Sequence, residues 1–468
     1  MPGLRGRLVI TTMSPFEMVR RIYLQSLGCP KNLVDSEQML GLAAHAGAEI
    51  VLNPEAADVL VVNTCGFIGE AKKESIDTIL ELAEIKRAAP GRRLIVTGCL
   101  VQRYGAELQR SLPEVDGFLG TGDFVRLPEL LESCTASKAA GYQGAAHLLP
   151  NLDVPRVRTG QFFSAYLKVS EGCDHRCSFC IIPKIRGRHE SKPIDLVVAE
   201  AEALARDGVV ELNLIAQDLT AYGKDRRDGS SLSTLLRRLG QIDGIQWIRL
   251  LYTYPRYVSD ELLDTIAEEP KVCSYIDMPL QHISDRMLTR MRRERTGAAI
   301  RHLIERMRER VPDLALRTAF IVGFPGETEQ DFAELLDFVE QARIDHVGVF
   351  RYSQEEGTEA GAMVDQIPNA IKQQRYHELM TAQARVAAAT TRAQVGLVRP
   401  VLMCGQDESG RGYGRTSRQA PDIDGVVYVT DPEVPGAIVP VEITDATIYD
   451  LEGRVVPATP VDTAMDSL

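Results

Sequence analysis

Apolar and polar positions follow two rhythms along this chain, and the changes of rhythm mark three regions. Between residues 20 and 131, short near-continuous apolar runs at 22–27, 58–63 and 93–97 alternate with stretches of helical period at 34–46 and 71–87. Runs that are apolar on both faces belong to buried parallel strands, and strand–helix alternation implies a parallel sheet with helices on its faces. The alternation resumes with strands at 163–170, 210–216, 247–252, 274–278, 316–322 and 346–350. Helices fit between them, including 194–206, 284–291, 298–310 and 329–341, the last headed by Thr328 and Asp331 at capping-box spacing. Six such units predict a partial (β/α)6 barrel whose working end is the carboxyl edge of its strands. A long helix at 369–394 leads out of it. Short runs at 398–404, 425–429, 437–443 and 446–451, separated by Gly and Pro turns, predict a small β-barrel. The expected fold class is α/β, with a parallel-sheet domain, a partial barrel and a small closing β-barrel.

The corresponding division is a disordered extension at 1–19, an α/β domain at 20–133, a linker at 134–160, the barrel core at 161–394, the β-barrel at 395–456 and a tail at 457–468. The linker is crowded with Ala, Gly and Pro and has no clear period, apart from a possible hairpin. The apolar run at 8–10 is too short for a signal peptide, and Met13 and Met18 are candidate later starts.

Composition narrows the function classes. A formal charge of −12 over 468 residues argues against binding nucleic acid by bulk charge, though not against a local basic patch. There is no run of about 18 apolar residues, so no membrane span is expected. A cytoplasmic location is expected, where thiols stay reduced and clustered ones bind metal or react.

Two sets of cysteines then change the picture. Cys173, Cys177 and Cys180 are spaced C-x3-C-x2-C inside Glu-Gly-Cys-Asp-His-Arg-Cys-Ser-Phe-Cys, residues 171–180. Thiolates so spaced hold iron–sulfur clusters, and three ligands leave one iron of a 4Fe–4S cluster open. The alternative is a zinc knuckle completed by His175, which lies too near Cys177 in the chain to turn back easily. Cys29, Cys65 and Cys99 each follow a predicted strand and stand 36 and 34 residues apart, one βα unit per cysteine. Parallel strands end on one edge of their sheet, so these thiols converge there. They read as a second iron–sulfur cluster with one iron unclaimed, or else as three separate packing cysteines. Cys273 and Cys404 read as core, and Cys134 has no partner at metal spacing. Gln217, Asp218, residues 252–254, Gln281, His282, Gly323 and residues 351–353 fall at strand ends of the barrel. Each taken singly reads as a cap or a barrel-end contact, and only the shared address marks a site.

The three-cysteine loop, with Phe179 before its last cysteine, resembles the radical S-adenosylmethionine superfamily. The order of the three regions, from about residue 20 to 454, resembles the methylthiotransferases. The resemblance implies that Cys173, Cys177 and Cys180 hold the 4Fe–4S cluster that binds S-adenosylmethionine, and that Cys29, Cys65 and Cys99 hold an auxiliary 4Fe–4S cluster. Cofactor contacts are expected at Phe179, Gln217, Ile321 and Gly323. Residues 26–37 (Ser-Leu-Gly-Cys-Pro-Lys-Asn-Leu-Val-Asp-Ser-Glu), 278–285 and 352–358 resemble the branch that modifies an aspartate of small-subunit ribosomal protein S twelve. The other branch acts on adenosine in transfer RNA and usually has Gln-Met where Pro30-Lys31 stand. Lys192 stands where arginine is more usual, and Gln354 where proline is frequent.

The implied chemistry is radical: a deoxyadenosyl radical takes hydrogen from the aspartate β-carbon, which then receives a methylthio group. An external electron donor is required. The third region carries six basic and ten acidic residues over 392–454, with no lysine. It would repel a phosphate backbone unless Arg411, Arg415 and Arg418 make a local patch, so direct binding of transfer RNA is not expected. A non-catalytic iron–sulfur carrier is a further alternative, against which stand the six βα units around a site. His282 is either a general base or a barrel-end hydrogen bond.

Overall fold

The computed structural model describes residues 20–132, 140–142, 154–430 and 433–457. The expectations for 1–19, for Cys134, for most of the linker and for the tail beyond 457 lie outside them.

The first domain runs β1 (Arg21–Ser26), α1 (Pro30–His45), β2 (Glu49–Ile50), β3 (Val59–Thr64), α2 (Gly69–Arg87), β4 (Arg93–Gly98), α3 (Cys99–Ser111), β5 (Gly117–Leu119), α4 (Leu127–Glu132) and β6 (Ala140–Tyr142). Its six strands are ordered β2-β1-β3-β4-β5-β6, and every neighbouring pair is parallel. All six residues of β3 are buried, because helices cover both faces. Leu60 and Val62 enter one core, Val59 and Val61 the other. Helix α1 starts at Pro30 rather than at residue 34. Proline suits a first helical position, where its fixed φ fits and its missing N–H is not needed.

The second domain begins with β7 (Ser164–Lys168), β8 (Ser170–Glu171), α5 (Ile182–Arg186), β9 (Glu190–Ser191), α6 (Ile194–Arg206), β10 (Glu211–Ile215) and α7 (Leu232–Gly240). It continues with β11 (Trp247–Leu250), α8 (Asp260–Glu268), β12 (Val272–Asp277), α9 (Asp285–Arg290) and α10 (Gly297–Arg310). It closes with β13 (Ala315–Val322), α11 (Glu329–Ala342), β14 (His346–Arg351) and α12 (Asn369–Arg392). Strands β7-β10-β11-β12-β13-β14 form one open, all-parallel sheet, a partial barrel. The predicted capping box of Thr328 and Asp331 heads α11. The apolar side chains on the concave face, Ile215, Leu251 and Tyr275 among them, are joined by Val34 from the first domain and by Leu402 and Ala420 from the third. The flanking domains thus complete the lumen of an open barrel.

The third domain is a closed barrel, β15-β16-β17-β19-β18, built from β15 (Val398–Gln406), β16 (Gly412–Thr416), β17 (Val427–Val429), β18 (Ile438–Ala446) and β19 (Leu451–Val455). Two expectations change here. The last strand is residues 451–455, not 446–451, because the Asp450 amide donates to Thr447 Oγ1 and closes a turn in between. Cys404 is not in the barrel's interior. Val401 and Met403 point inward with Val427 and Val441, so the period of two puts Leu402 and Cys404 on the face against the parallel barrel. Cys273 is buried packing, as its sequence position implied.

Candidate cluster and cofactor site

The C-x3-C-x2-C loop leaves β8 and is held in shape by backbone hydrogen bonds within it and to the segments around it. The Cys173 amide donates to Gly187 O at 3.1 Å, the Cys180 amide to Cys177 O at 3.1 Å and the Ser178 amide to Met291 O at 3.1 Å. Gly172, at φ +74°, opens the loop, and a Cβ there would lie 1.9 Å from Arg188 O. Only glycine permits that approach. The three thiols line a cavity of about 560 Å³ with His175, Lys184 and Arg188. Burial pushes the Cys173 and Cys180 thiols up to about 12. They stay protonated near neutral pH until a metal displaces the protons. Among the described residues, no group of three or more His, Cys, Asp and Glu side chains is closed tightly enough to hold one metal ion. His175 turns away from the thiols: its Nε2 lies 2.6 Å from Asp218 Oδ2 and its ring stacks on Tyr254 at 3.7 Å. The cavity has room for a larger group than one ion.

The second set of thiols comes from β1, β3 and β4, three adjacent strands whose carboxyl ends share one edge. Cys29 precedes α1, Cys65 follows β3, and Cys99 opens α3. Cys29 is exposed, Cys65 is half-buried and Cys99 is buried. Asn32 ties the edge together, its Nδ2 donating to Leu27 O at 2.9 Å and to Thr64 O at 3.0 Å. Asn63 Nδ2 donates in turn to Asn32 O and to Ser36 Oγ, both at 2.9 Å. Burial drives the Cys99 thiol up to about 12, against the pull of the Arg186 guanidinium.

A buried charged network joins the two sets. Arg186, at the end of α5, pairs with Asp35 at 2.6 Å and with Glu171 at 3.2 Å. It also donates to Asn32 Oδ1 and, at 3.3 Å, to Cys99 Sγ. Lys168 pairs with the same two carboxylates, Asp35 and Glu171. Burial would raise the Glu171 carboxyl, but Lys168 and Arg186 outweigh it and hold that carboxyl well below the usual range. Away from this centre, Glu355 pairs with Lys72 at 2.7 Å and Arg103 at 3.0 Å, clamping the barrel to the first domain.

Phe179 and Ile321 pack into one apolar cluster with Phe324, whose ring meets Phe179 edge-on at 6.5 Å. Gly323 adjoins it at φ +70°, where a Cβ would collide with Lys372 Cγ at 2.3 Å. Gln217 donates through Nε2 to Glu171. Its Oε1 and the neighbouring Ser170 Oγ are buried without a hydrogen-bond partner among the described residues. Such orphaned acceptors suit a polar guest. His282 is buried and satisfied at both nitrogens, Nδ1 accepting from the Ser284 amide at 3.1 Å and Nε2 facing Glu327 Oε1 at 3.0 Å. It is a barrel-end contact and not a free base. Lys192 pairs with Glu200 at 2.9 Å, the carboxylate it shares with Arg156.

Sequence comparison agrees region by region. Residues 21–120 match the Uncharacterized protein family UPF0004, residues 167–339 the Radical SAM superfamily and residues 395–456 the TRAM domain. Ribosomal protein uS12 methylthiotransferase RimO of Pelobacter propionicus is 51% identical over 440 residues, 93% of this chain and 98% of the relative. The protein of the same name from Anaeromyxobacter sp. is 51% identical over 95% of each chain. The chain belongs to the ribosomal protein uS12 methylthiotransferase family, within the radical SAM superfamily. Membership in that superfamily implies a 4Fe–4S cluster and S-adenosylmethionine. Among solved structures, the radical S-adenosylmethionine methyltransferase TsrM from Kitasatospora setae, with cobalamin and a 4Fe–4S cluster bound, superposes with a TM-score of 0.54 at 15% identity. That likeness, over 74% of this chain and 77% of the other, is one of fold.

Within this family member, Asn32, Asn63, Glu171 and Arg186 escaped the sequence reading as site residues. Arg186 left one signal: it ends the otherwise largely apolar stretch Ile-Ile-Pro-Lys-Ile-Arg, residues 181–186, just after the last cysteine of the loop.

Proposed function

We propose that this chain methylthiolates the β-carbon of an aspartate in small-subunit ribosomal protein S twelve. The observation that carries the reading is the Arg186 network, which links Cys99 of one triad to Glu171, two residues before Cys173 of the other, across a domain boundary. The reaction, on this reading, uses two such centres. In this reading Cys173, Cys177 and Cys180 hold the 4Fe–4S cluster that engages S-adenosylmethionine. Phe179, Gln217, Ile321 and Gly323 line the cofactor's berth. Cys29, Cys65 and Cys99 hold the auxiliary 4Fe–4S cluster. When bound, these groups supply radical hydrogen abstraction and sulfur delivery at an unactivated C–H bond, chemistry that side-chain acids and bases do not reach.

The chain's own residues position and exclude. Asn32 and Asn63 tie the ends of β1 and β3 to the first turn of α1. Gln217 Oε1 and Ser170 Oγ offer acceptors. The first domain roofs the lumen through Val34. The third domain supports a basic protein partner over RNA. Arg392, Arg399, Arg411, Arg415, Arg418 and Arg454 are all ion-paired within the chain. Arg415 is buried on Glu211, so Arg411, Arg415 and Arg418 do not form an open basic patch. The acidic excess is thus left to attract a basic ribosomal protein. An external electron donor completes the reaction, and the substrate implies work in the cytoplasm. No helix among the described residues is long and apolar enough to cross a membrane.

Mass spectrometry of ribosomal protein S twelve and of transfer RNA from a strain lacking this chain tests the reading. The expected result is loss of methylthio-aspartate with transfer RNA unchanged. Loss of methylthio-adenosine alone would put the substrate in RNA. Failure of the reduced protein to release deoxyadenosine would leave only an electron carrier.

A further inference from the structure

Helix α1 begins beside Cys29, which gives it no side-chain cap. The first-turn amides of such a helix carry partial positive charge toward whatever lies before it. Lys31, in that first turn, adds a full charge. It is only 6% exposed, yet it makes no hydrogen bond or ion pair with any described residue. Its Nζ sits 2.8 Å from the centre of the Tyr252 ring, at the carboxyl end of β11. Tyr252 holds that ring in place at φ 62°, a conformation rare for a bulky residue, with its amide donating to Asp277 Oδ2 at 3.0 Å.

The anionic groups that face Lys31 are Cys29, Asp277 and Glu171; Cys29 is committed to the auxiliary cluster in the reading above, and both carboxylates are already engaged. Glu171 is taken by Lys168, Arg186 and Gln217. Asp277 is taken by Arg317 at 2.9 Å and by the Tyr252 amide. A buried cation left without an anion is costly, and an aromatic face offsets only part of that cost. An anionic guest would supply the direct partner that Lys31 lacks among the described residues.

We propose that Lys31 and the first-turn amides of α1 that remain open, those of Lys31 and Asn32, form a carboxylate site, occupied by the side chain of the aspartate to be modified. Pro30 has no N–H, and the Leu33 amide donates to Cys29 O at 3.1 Å. The inference rests on the substrate reading above. An aspartate β-carbon is one bond from its carboxylate carbon. A carboxylate held at Lys31, two residues from Cys29, sets that β-carbon beside the edge that carries Cys29, Cys65 and Cys99. Lys31 is on this account a specificity-determining residue, not a proton donor.

The test uses the full chain and a peptide spanning the modified loop of ribosomal protein S twelve, with Asp or Asn at the target position. Peptide affinity is read by fluorescence anisotropy and S-adenosylmethionine affinity by calorimetry. K31Q should weaken the Asp peptide by about tenfold or more, as expected for loss of a charge-assisted hydrogen bond. It should leave the Asn peptide and the cofactor unaffected, and K31R should restore most of the loss. An equal loss for both peptides, or none, would overturn the inference, and so would a loss confined to S-adenosylmethionine, whose own carboxylate would then be the occupant. Should K31Q melt early or lose iron, the wild type alone decides, since a preference for Asp over Asn below about twofold is incompatible with the site. Wild-type protein that binds neither peptide would overturn the substrate reading, and this inference with it.

Discussion

Arg186 Nη2 stands 3.3 Å from Cys99 Sγ, although 87 residues separate them and they lie in different domains. The contact sets the geometry of the whole centre, because the same guanidinium holds Asp35 and Glu171. Removing it strands two buried carboxylates with Lys168 as their remaining cation. Arg186→Met should therefore cost about 3–5 kcal/mol, read as a lowered melting temperature. Arg186→Lys, which keeps the charge and loses the fork, should fall between. An unchanged melting temperature in Arg186→Met would show that the network carries no stability.

The two cysteine sets should be separable. Replacing Cys173, Cys177 and Cys180 by alanine should leave about half the iron of the reconstituted protein and abolish deoxyadenosine release. Replacing Cys29, Cys65 and Cys99 should also leave about half, spare deoxyadenosine release and stop sulfur transfer. Iron assay and chromatography read both. Full iron content in the second variant would exclude an auxiliary cluster there.

The join between the barrel and the third domain should be acid-sensitive. Burial works to raise the Glu211 carboxyl, but Arg415 and Arg249 outweigh it and hold it at about 2, against an ordinary 4.5. A carboxyl depressed in the folded state stabilises fully above its unfolded pKa and loses that effect as pH falls toward the folded value. The urea midpoint of wild type should thus exceed that of Glu211→Gln most above pH 4.5, and the gap should close toward pH 2. A gap that is constant over that range would mean the ion triad is not the cause.

Charge on the third domain should govern the encounter with the partner. Asp424 belongs in no such test: its carboxylate is buried on Tyr275, Arg317 and His346, and reversing it would undock the domain. Glu408, Asp445 and Glu452 are exposed. Reversing these three to lysine should weaken binding of the basic ribosomal protein by several-fold at low salt and by less at high salt. Stopped-flow association rates across a salt series measure it, and unchanged rates at low salt would remove the electrostatic argument.

Legibility followed the range of the forces involved. Strands β3 and β4 were plain in the sequence because burial on both faces leaves an unbroken apolar run. β16 (Gly412–Thr416), Gly-Tyr-Gly-Arg-Thr, was not, because glycine and arginine carry no strand pattern and its pairing is decided by β15 and β17. Helix α3 went unassigned after Cys99, though it packs Leu100, Val101 and Leu108 into the sheet. The cysteines were found by spacing and by their places at strand ends, whereas Asn32, Asn63 and Arg186, which surround them, have no such signal.

What this sequence determined by itself was every element whose cause is local: the loop of 173–180, the three strand-end cysteines, the order of the three domains and the acidic balance of the last. The tertiary structure decided which charges meet. Arg415 reads as a free surface cation beside Arg411 and Arg418, yet it is buried on Glu211, 204 residues away. Lys31 reads as one letter of a motif, yet it lies buried over Tyr252 with no ion pair among the described residues. Periodicity along a chain reports burial, which each residue feels through its own side chain. Pairing of charges depends on where two distant segments are brought together, and no local pattern records that.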